Sequence, residues 1–526
     1  MSYPILDKSL IYNILYSRFK GEFLTLKDLP HPNYFKDMQL GVNRVVRAIR
    51  AKEKIALIGD YDVDGVVATT IIKELFREIN YPIEWIIPNR FSDGYGISKS
   101  VIDRVEADLI ITVDNGIAAI EAANLCKERN IDLIITDHHT VGDKLPVAYA
   151  TINQKQSDCS FPYKEICGAQ IAWYFATAIA RELGVKLNSK KLLGITALAI
   201  VADIMPLTDI NRAMLIAGLQ VLNKEDFAFI KALKEQGFKN IDSQSIAYYI
   251  APLLNSAGRL EDASIVSEFL FTKDVEVAKS ILQQLVELNN LRKDIEQNIT
   301  KEAFKQVDKD DAIAVVWGHN WNEGVVGIVA SRVSEHFKIP AIVLSCKDGI
   351  CKGSGRSYAN CDLYSLVATA KGYFLKFGGH KSAIGLSLEQ DRVPIVKSLL
   401  NLEAKKLCKG SSDFDSSILG ILPFSQIDLE LVDLLSKFEP YGEANPRPKF
   451  ITKNVEVLEI YEVGKNKEHK RYRLRDKNRV FSAIEFRSKS QIEIGDIVEI
   501  IYTVDKNEYN GNLYINLYIE AIKKEG

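Results

Sequence analysis

From about residue 50 the chain alternates short apolar runs with stretches of helical period. The runs 54–59 (KIALIG), 83–88 (IEWIIP), 109–113 (LIITV) and 132–136 (DLIIT) each read as a strand. Their apolar residues are continuous rather than alternating, as in strands buried on both faces. Helix-compatible stretches, among them 66–79 and 117–129, separate them. Strand and helix in turn predict an α/β fold with a parallel sheet. Residues 197–202 (ALAIVA), which lead to Asp203, are more helix-like in composition.

Further on, Val277, Ile281, Leu285, Leu288, Leu291, Ile295 and Ile299 recur at three- and four-residue steps. With Thr272 as N-cap, the spacing predicts one helix over 272–305 that joins two lobes, roughly 50 Å long at 1.5 Å per residue. A second, smaller α/β unit follows, with strands at 312–317 and 340–345 around a helix at 326–337. Residues 363–377 read as a helix, and Gly378-Gly379 after it as an ordinary C-cap. From about Asn454 the period becomes two. The runs 455–463, 472–474, 481–486, 496–504 and 513–522 read as five strands, with Asn510-Gly511 as the hairpin turn between the last two. Five short strands in close succession predict a small β-barrel.

Composition adds bounds. A length of 526 residues suggests three or four domains. An apolar fraction of 47% and a charged fraction of 26% fit a globular chain with sizeable cores. The net charge of −2 does not advertise a nucleic-acid partner, although a local basic patch still could. Of seven cysteines none forms a CxxC pair, and no histidine stands at finger-like spacing from Cys346 and Cys351. Unpaired thiols in a reducing compartment are the expectation, rather than a zinc site or a disulfide framework. Residues 1–20 hold no signal-peptide core, and no run approaches the ~18 apolar residues of a membrane span. The expected location is cytoplasmic, with no membrane contact.

The chemistry lies at the strand ends. Asp60, Asp62, Asp64, Asp114, Asp137, His138 and His139 sit just beyond the C-terminal ends of parallel strands, where open α/β sheets bind ligands. Strand alternation would send Asp60, Asp62 and Asp64 to one side. So many carboxylates in one crevice repel each other, and a divalent cation resolves the conflict. Mixed carboxylate and imidazole ligands suit Mn²⁺ or Mg²⁺, with Mn²⁺ tolerating imidazole better. Either cluster alone reads as a solvated turn or a chance triplet; their order at successive strand ends argues for a metal site. Residues 464–479 (GKNKEHKRYRLRDKNR) carry eight Lys or Arg against Glu468 and Asp476. A solvated face is the plain explanation. The sharper one is a barrel surface on which Lys470, Arg471, Tyr472 and Arg473 hold single-stranded DNA by phosphate contacts and stacking.

Four of these segments resemble the motifs of the DHH phosphoesterases: Asp60-Tyr61-Asp62-Val63-Asp64-Gly65, Val113-Asp114-Asn115-Gly116, Thr136-Asp137-His138-His139 and Val201-Ala202-Asp203. Within that superfamily, 252–259 (PLLNSAGR) is similar to a segment of the single-strand-specific 5′→3′ DNA exonucleases. Residues 324–332, 353–357 and 378–380 resemble the accessory DHHA1 domain, and 440–446 (PYGEANP) the lead-in to an OB domain. The resemblance covers nearly all of the chain after about residue 40. Val63 and Ser256 stand where many relatives carry alanine, and Asn322 where they often carry histidine.

The resemblance implies an N-terminal extension (1–45), a DHH catalytic domain (46–210), a helical region with the connecting helix (211–305), a DHHA1 domain (306–405), and a linker with an OB-fold (406–526). It implies a two-metal exonuclease that releases 5′-mononucleotides in DNA repair and recombination without a covalent intermediate. One ion would be held by Asp62, Asp114 and neighbours, the other by Asp64, Asp114, His138 and Asp203, with Asp114 bridging. Asp60 and His139 would support them or contact the scissile phosphate. Arg90, Arg259, Ser354, Arg356 and His380 match phosphate-contacting positions and would form a 5′-phosphate pocket. The implied partners are single-stranded DNA, a single-strand-binding protein and a helicase, with the enzyme a monomer. Two rival readings are a small-substrate DHH phosphoesterase acting on short oligonucleotides or nucleotide bisphosphates, and a catalytically inactive DNA-binding scaffold. The barrel argues against the first, and the full set of ligands against the second.

Overall fold

The computed structural model describes residues 3–19, 22–408, 417–464, 466–509 and 512–525. They form two compact units, one of Pro30–Asp203 and Ala217–Phe414, the other of Met1–Leu29, Ile204–Ile216 and Asp415–Gly526. The extension expected over 1–45 is divided between them. Residues up to Leu29 join the second unit, whereas the helix Met38–Ala51 belongs to the first.

The first unit opens with the parallel sheet. Its strands are β1 (Ile55–Ile58), β2 (Glu84–Ile86), β3 (Leu109–Val113), β4 (Asp132–Thr136) and β5 (Ala150–Ile152), in the order β2-β1-β3-β4-β5. Every pairing is parallel. β1 and β3 are buried throughout, which is why their sequences run apolar without alternation. β5, only three residues long, is too short to have left a run of its own. The helix Val63–Glu78 is buried continuously from Val63 to Phe76, packed on helices Gly168–Leu183 and Ser189–Ala202. Because β1, β3 and β4 are neighbours, about 4.8 Å apart, the loops leaving them emerge side by side.

The connecting helix runs over Val275–Phe304, about 45 Å at 1.5 Å per residue. Asp274, not Thr272, caps it: its carboxylate accepts from the amides of Glu276 (2.8 Å) and Val277 (3.2 Å). Its buried face is also displaced from the apolar stripe. Ala278, Leu282, Leu285, Asn289, Arg292, Glu296, Ile299 and Ala303 are buried, while Val277 and Leu291 are exposed.

Beyond it a second sheet comprises β6 (Ala314–His319), β7 (Ala341–Lys347), β8 (Ile350–Arg356), β9 (Lys376–His380) and β10 (Ala383–Glu389), in the order β6-β7-β8-β10-β9. β6 and β7 are parallel around the helix Val326–Phe337, and the remaining pairs are antiparallel. The helix expected over 363–377 stops at Ala368, and Gly378 and Gly379 are strand residues rather than a C-cap. Gly379 has φ +139°, and a Cβ there would lie 2.4 Å from the Ala383 carbonyl oxygen. The cysteines also depart from expectation. Cys346 and Cys351, opposite each other on β7 and β8, form a disulfide, as do Cys361 and Cys408. Cys126, Cys159 and Cys167 are free and buried.

The second unit is a barrel built from β11 (Ile418–Ile421), β12 (Lys449–Val463), β13 (His469–Asp476), β14 (Arg479–Glu485), β15 (Ile497–Tyr509) and β16 (Asn512–Lys524). The last five close on themselves, β12-β13-β14-β16-β15 and back to β12, and β11 adds a parallel edge that was not anticipated. Closure needs a strand that bends. β12 pairs with β15 through Glu456 and with β13 from Glu456 onward, with register shifts on both sides of the exchange. Asn510-Gly511, the expected hairpin turn, lies outside the described residues. Inside, Phe450, Tyr472, Leu474 and Tyr502 share one core with Ile11, Leu15 and Phe19 from the N-terminal segment. Among the described residues, no helix is long and apolar enough to cross a membrane.

Candidate metal centre and phosphate-binding face

The three aspartates at 60, 62 and 64 are not on a strand, so alternation does not align them. β1 ends at Ile58, and the chain turns directly into the helix Val63–Glu78. Asp62 is that helix's N-cap, its Oδ1 accepting from the Gly65 amide at 3.0 Å. Gly65 is obligatory, since a Cβ there would fall 2.5 Å from the Asp60 Cβ. Asp64, in the first turn, faces the start of another helix, Gly168–Leu183. It accepts from the amides of Gly168 (2.6 Å) and Ala169 (2.8 Å). Those amides steady an anion that burial disfavours.

Asp114 follows β3 with φ +62°, a left-handed conformation that Asn and Asp tolerate better than most residues. The next residue holds it there. Asn115 is fully buried, and its Nδ2 donates to the carbonyls of Ile58, Gly59 and Val113 at 2.9–3.1 Å. Past β4, the buried Asp137 accepts from the Ile117 amide and, at 2.8 Å, pairs with His139 Nδ1. His138 points the other way. Its Nε2 stands 3.2 Å from Asp114, 3.7 Å from Asp64 and 3.7 Å from Asp203. Asp203 arrives from the C-cap of helix Ser189–Ala202.

Three overlapping groups result, and within each the candidate ligand atoms lie within 4.8 Å of one another. They are Asp60 with Asp62 and Asp114, Asp64 with His138 and Asp203, and Asp114 with His138 and His139. Burial drives the electrostatics. It raises Asp60 and Asp114 well above the usual carboxylate range, and neighbouring carboxylates push the same way. Asp203 is pushed up to about 9, first by burial and then by Asp64 and Asp62. Burial lowers His138 and so favours neutral imidazole, the form that ligates metals. His139 is the opposite case. Desolvation opposes its charge, but Asp137 overrides it and holds the imidazole up to about 9. Asp60 Oδ1, Asp114 Oδ1 and Asp203 Oδ2 are buried without a hydrogen-bond partner among the described residues. Orphaned buried carboxylate oxygens beside a neutral imidazole are the donor set a divalent cation satisfies.

A cationic face adjoins this crevice. Arg90 donates from Nε to the Gly258 carbonyl at 3.1 Å and lies over the Tyr61 ring, 4.0 Å from its centroid. Arg259 donates to the Gly324 carbonyl at 2.9 Å. Burial and the nearby Arg90 and Arg292 pull its guanidinium down to about 10, which still leaves it charged at neutral pH. Gly258 and Gly324 are both required, because a Cβ would come within 2.1 Å of the Tyr61 carbonyl oxygen or 2.0 Å of that of Arg259. On the second sheet, Arg356 and His380 both pair with Ala383, and Ser354 pairs with Gly385 one step along the same face. That face therefore carries Ser354, Arg356 and His380 around the bare positions Gly378 and Gly385.

The barrel residues divide differently. Tyr472 is a core residue, fully buried, with its hydroxyl bonded to Glu485 and Ser490, so it has no face left for a base. Lys470 donates to the Ser490 carbonyl and Arg473 pairs with Glu459 at 2.8 Å. Arg471 instead lines a groove with Val480, Leu513 and Tyr514. Among the described residues, the exposed aromatics of the barrel are Tyr461, Phe486 and Tyr514, none of them singled out from sequence. Two contributors to the centre were also missed. Gly168 left no local signal, since its need is tertiary: a Cβ would sit 2.3 Å from Asp114 Oδ1. Tyr95 donates to the Asp114 carbonyl at 3.1 Å.

Known proteins match along most of the chain. Residues 54–200 match the DHH family, N-terminal domain, 310–406 the DHHA1 domain and 420–521 the RecJ OB domain. The single-stranded-DNA-specific exonuclease RecJ of Dickeya dadantii is 32% identical over 92% of this chain and 90% of that protein. The protein of that name from Bacillus subtilis is 31% identical over 95% of this chain, which spans 65% of its length. Among solved structures, RecJ of Thermus thermophilus in complex with Mn²⁺ shares the fold. The TM-score is 0.84 at 24% identity, covering 100% of this chain and 80% of that one. An exonuclease RecJ bound to manganese, 28% identical, matches 72% of this chain and 96% of its own with a TM-score of 0.63.

Proposed function

The chain belongs to the RecJ family, and from that membership we propose that it is a metal-dependent, single-stranded-DNA-specific 5′→3′ exonuclease acting in DNA repair and recombination. The observation that carries this is the meeting of orphaned buried carboxylate oxygens with a face of three arginines. The donor set fits two divalent cations such as Mn²⁺ or Mg²⁺: Asp60, Asp62 and Asp114 would hold one, and Asp64, His138 and Asp203 the other, with Asp114 also within reach of His138. Bound there, such ions would supply the activation of water and offset charge on the phosphate. The remaining work belongs to the chain. Arg90, Arg259 and Arg356 receive the strand's 5′-phosphate, with Ser354 and His380 beside them. Arginine suits this because its planar fork binds phosphate bidentately and stays charged. His139, oriented by the hydrogen bond between its Nδ1 and Asp137, would meet the scissile phosphate with its other ring nitrogen. Hydrolysis is direct, with no side chain acting as nucleophile.

Digestion of single-stranded against duplex DNA, labelled at each end and with Mn²⁺ present, tests the whole reading. Loss of 5′ label first, from single strands alone, is expected. Preference for a dinucleotide over a long strand would favour the small-substrate reading instead. Asp114→Ala should abolish both Mn²⁺ binding and turnover, and near-normal activity in that variant would overturn the site. The proposal extends to a monomer recruited by a single-strand-binding protein and a helicase.

A further inference from the structure

The unit that holds the metal centre has a second cleft, of about 530 Å³, between the segment around 236–253, the middle of the connecting helix and the helix Val326–Phe337. One wall presents two consecutive tyrosines, Tyr248 and Tyr249, which are 75% and 64% exposed. Their projection has a local cause. Pro252 has no amide hydrogen to give the Tyr248 carbonyl, so the α-helical bond cannot close there. The chain widens into a π-turn over Ile246–Ile250, in which the Ala251 amide reaches back to the Ile246 carbonyl. Ile246 and Ile250 are buried at its two ends, and Ala247, Tyr248 and Tyr249 all face outward between them. Such turns interrupt helices at a cost and recur at functional sites.

The facing wall is cationic. Arg292 and Arg332 both engage the single carboxylate of Glu296, which is 1% exposed, so the trio keeps one positive charge. Lys293, exposed on the next position of the helix, adds another. The cleft lies close to the arginines proposed to receive the 5′-phosphate. Arg292 is close enough to Arg259 to lower its pKa. Ile328 on the cleft wall follows Gly327, whose missing Cβ would stand 3.1 Å from Arg356 Nη2.

Exposed aromatic faces opposite surplus cations, near a candidate phosphate site, match the chemistry of unpaired nucleotides. We propose that this cleft is a second strand-binding subsite, in which Tyr248 and Tyr249 stack bases on the 3′ side of the scissile phosphodiester while Lys293 and Arg332 meet their phosphates. It rests on the exonuclease reading above and deepens it, because a base held in a duplex has no free face to stack.

The test compares a 5′-phosphorylated 12-mer with a dinucleotide in wild type, in Tyr248→Ala/Tyr249→Ala and in Tyr248→Phe/Tyr249→Phe. Both tyrosines are exposed, so neither double variant removes core packing. The alanine pair is expected to lose about tenfold or more in kcat/KM on the 12-mer and little on the dinucleotide, and the phenylalanine pair to retain both. In parallel, 5-iododeoxyuridine at the second to fourth nucleotides is photo-cross-linked to metal-chelated protein, with adducts expected on Tyr248 or Tyr249. Equal losses on both substrates, or no loss, with adducts elsewhere, would overturn the subsite and leave the exonuclease standing. If wild type digests neither substrate, the exonuclease reading fails, and the adducts alone decide the cleft. An acidic peptide bound by wild type but not by the alanine pair, with the strand cross-linking elsewhere, would assign the cleft to a protein partner and overturn the proposal.

Discussion

Gly168 has no side chain to contribute, yet it shapes the centre more than several residues that do. Its amide holds Asp64 at 2.6 Å, and its bare Cα makes room for Asp114. Gly168→Ala is expected to weaken Mn²⁺ binding about 10–100-fold while the far-ultraviolet circular dichroism stays native, a comparison calorimetric titration settles. The carboxylates set a pH dependence of opposite sign to the usual one. Asp60, Asp114 and Asp203 bind protons more tightly folded than unfolded. Without metal, their contribution is complete below their unfolded pKa of about 4 and is lost as pH rises through the folded values, about 9 for Asp203. Melting in chelator should therefore fall between pH 5.5 and 8.5, and the gain from added Mn²⁺ should be larger at pH 8.5. Equal gains at both would refute the buried-carboxylate account. At this scale the sequence was legible where a charged or imidazole group stands at a strand end, as with Asp114 and His138, and not at Tyr95, whose hydroxyl reaches the Asp114 carbonyl from a loop. It was silent on Gly168, where what matters is an absence of atoms across more than fifty residues of chain. Tyr472 was misjudged although its signal was present. In Arg471-Tyr472-Arg473-Leu474-Arg475 the period of two pairs Tyr472 with buried Leu474, not with the exposed arginines.

Elements follow the same logic of period against context. The connecting helix was visible because its repeat is long, but its face was assigned one step away. Buried Asn289, Arg292 and Glu296 occupy positions that an apolar stripe would not count, so Leu288 and Leu291 were credited in their place. That polar stretch sets a large effect for a small change. Glu296→Ala leaves Arg292 buried without its partner and should cost about 3–5 kcal/mol in urea unfolding; under 1 kcal/mol would show that water replaces the carboxylate. The segment before β9 misled for a different reason: a helical pattern over 363–377 yields to sheet pairing beyond Ala368, where tertiary hydrogen bonds outweigh local preference. On β13 the cross-strand pair of Arg473 with Glu459 leaves Arg471 as the cation with a groove to itself. Arg471→Gln should flatten the salt dependence of strand binding by about 0.7 in log–log slope, the loss of one phosphate contact, and Arg473→Gln should change it less. The reverse order would mean that the glutamate releases Arg473 to the strand.

For the whole molecule, the order of elements in the chain is not their order in space. Domain content was readable from the succession of periods, from continuous apolar runs to a helix to alternation. The membership of Met1–Leu29 was not, because its short amphipathic helix, Lys8–Ser17, does not record which distant core it joins. That membership bears on how the protein is made. At ~5–20 residues per second, Ile11 is synthesised about 20–90 s before Phe450, with which it shares a core. The first helix thus leaves the ribosome as an amphipath without a partner, while the intervening unit has time to fold. The barrel unit is sealed only once β16 has been made, so a ribosome stalled between the end of the first unit and β12 leaves a chain with a finished metal centre and an adhesive leading end.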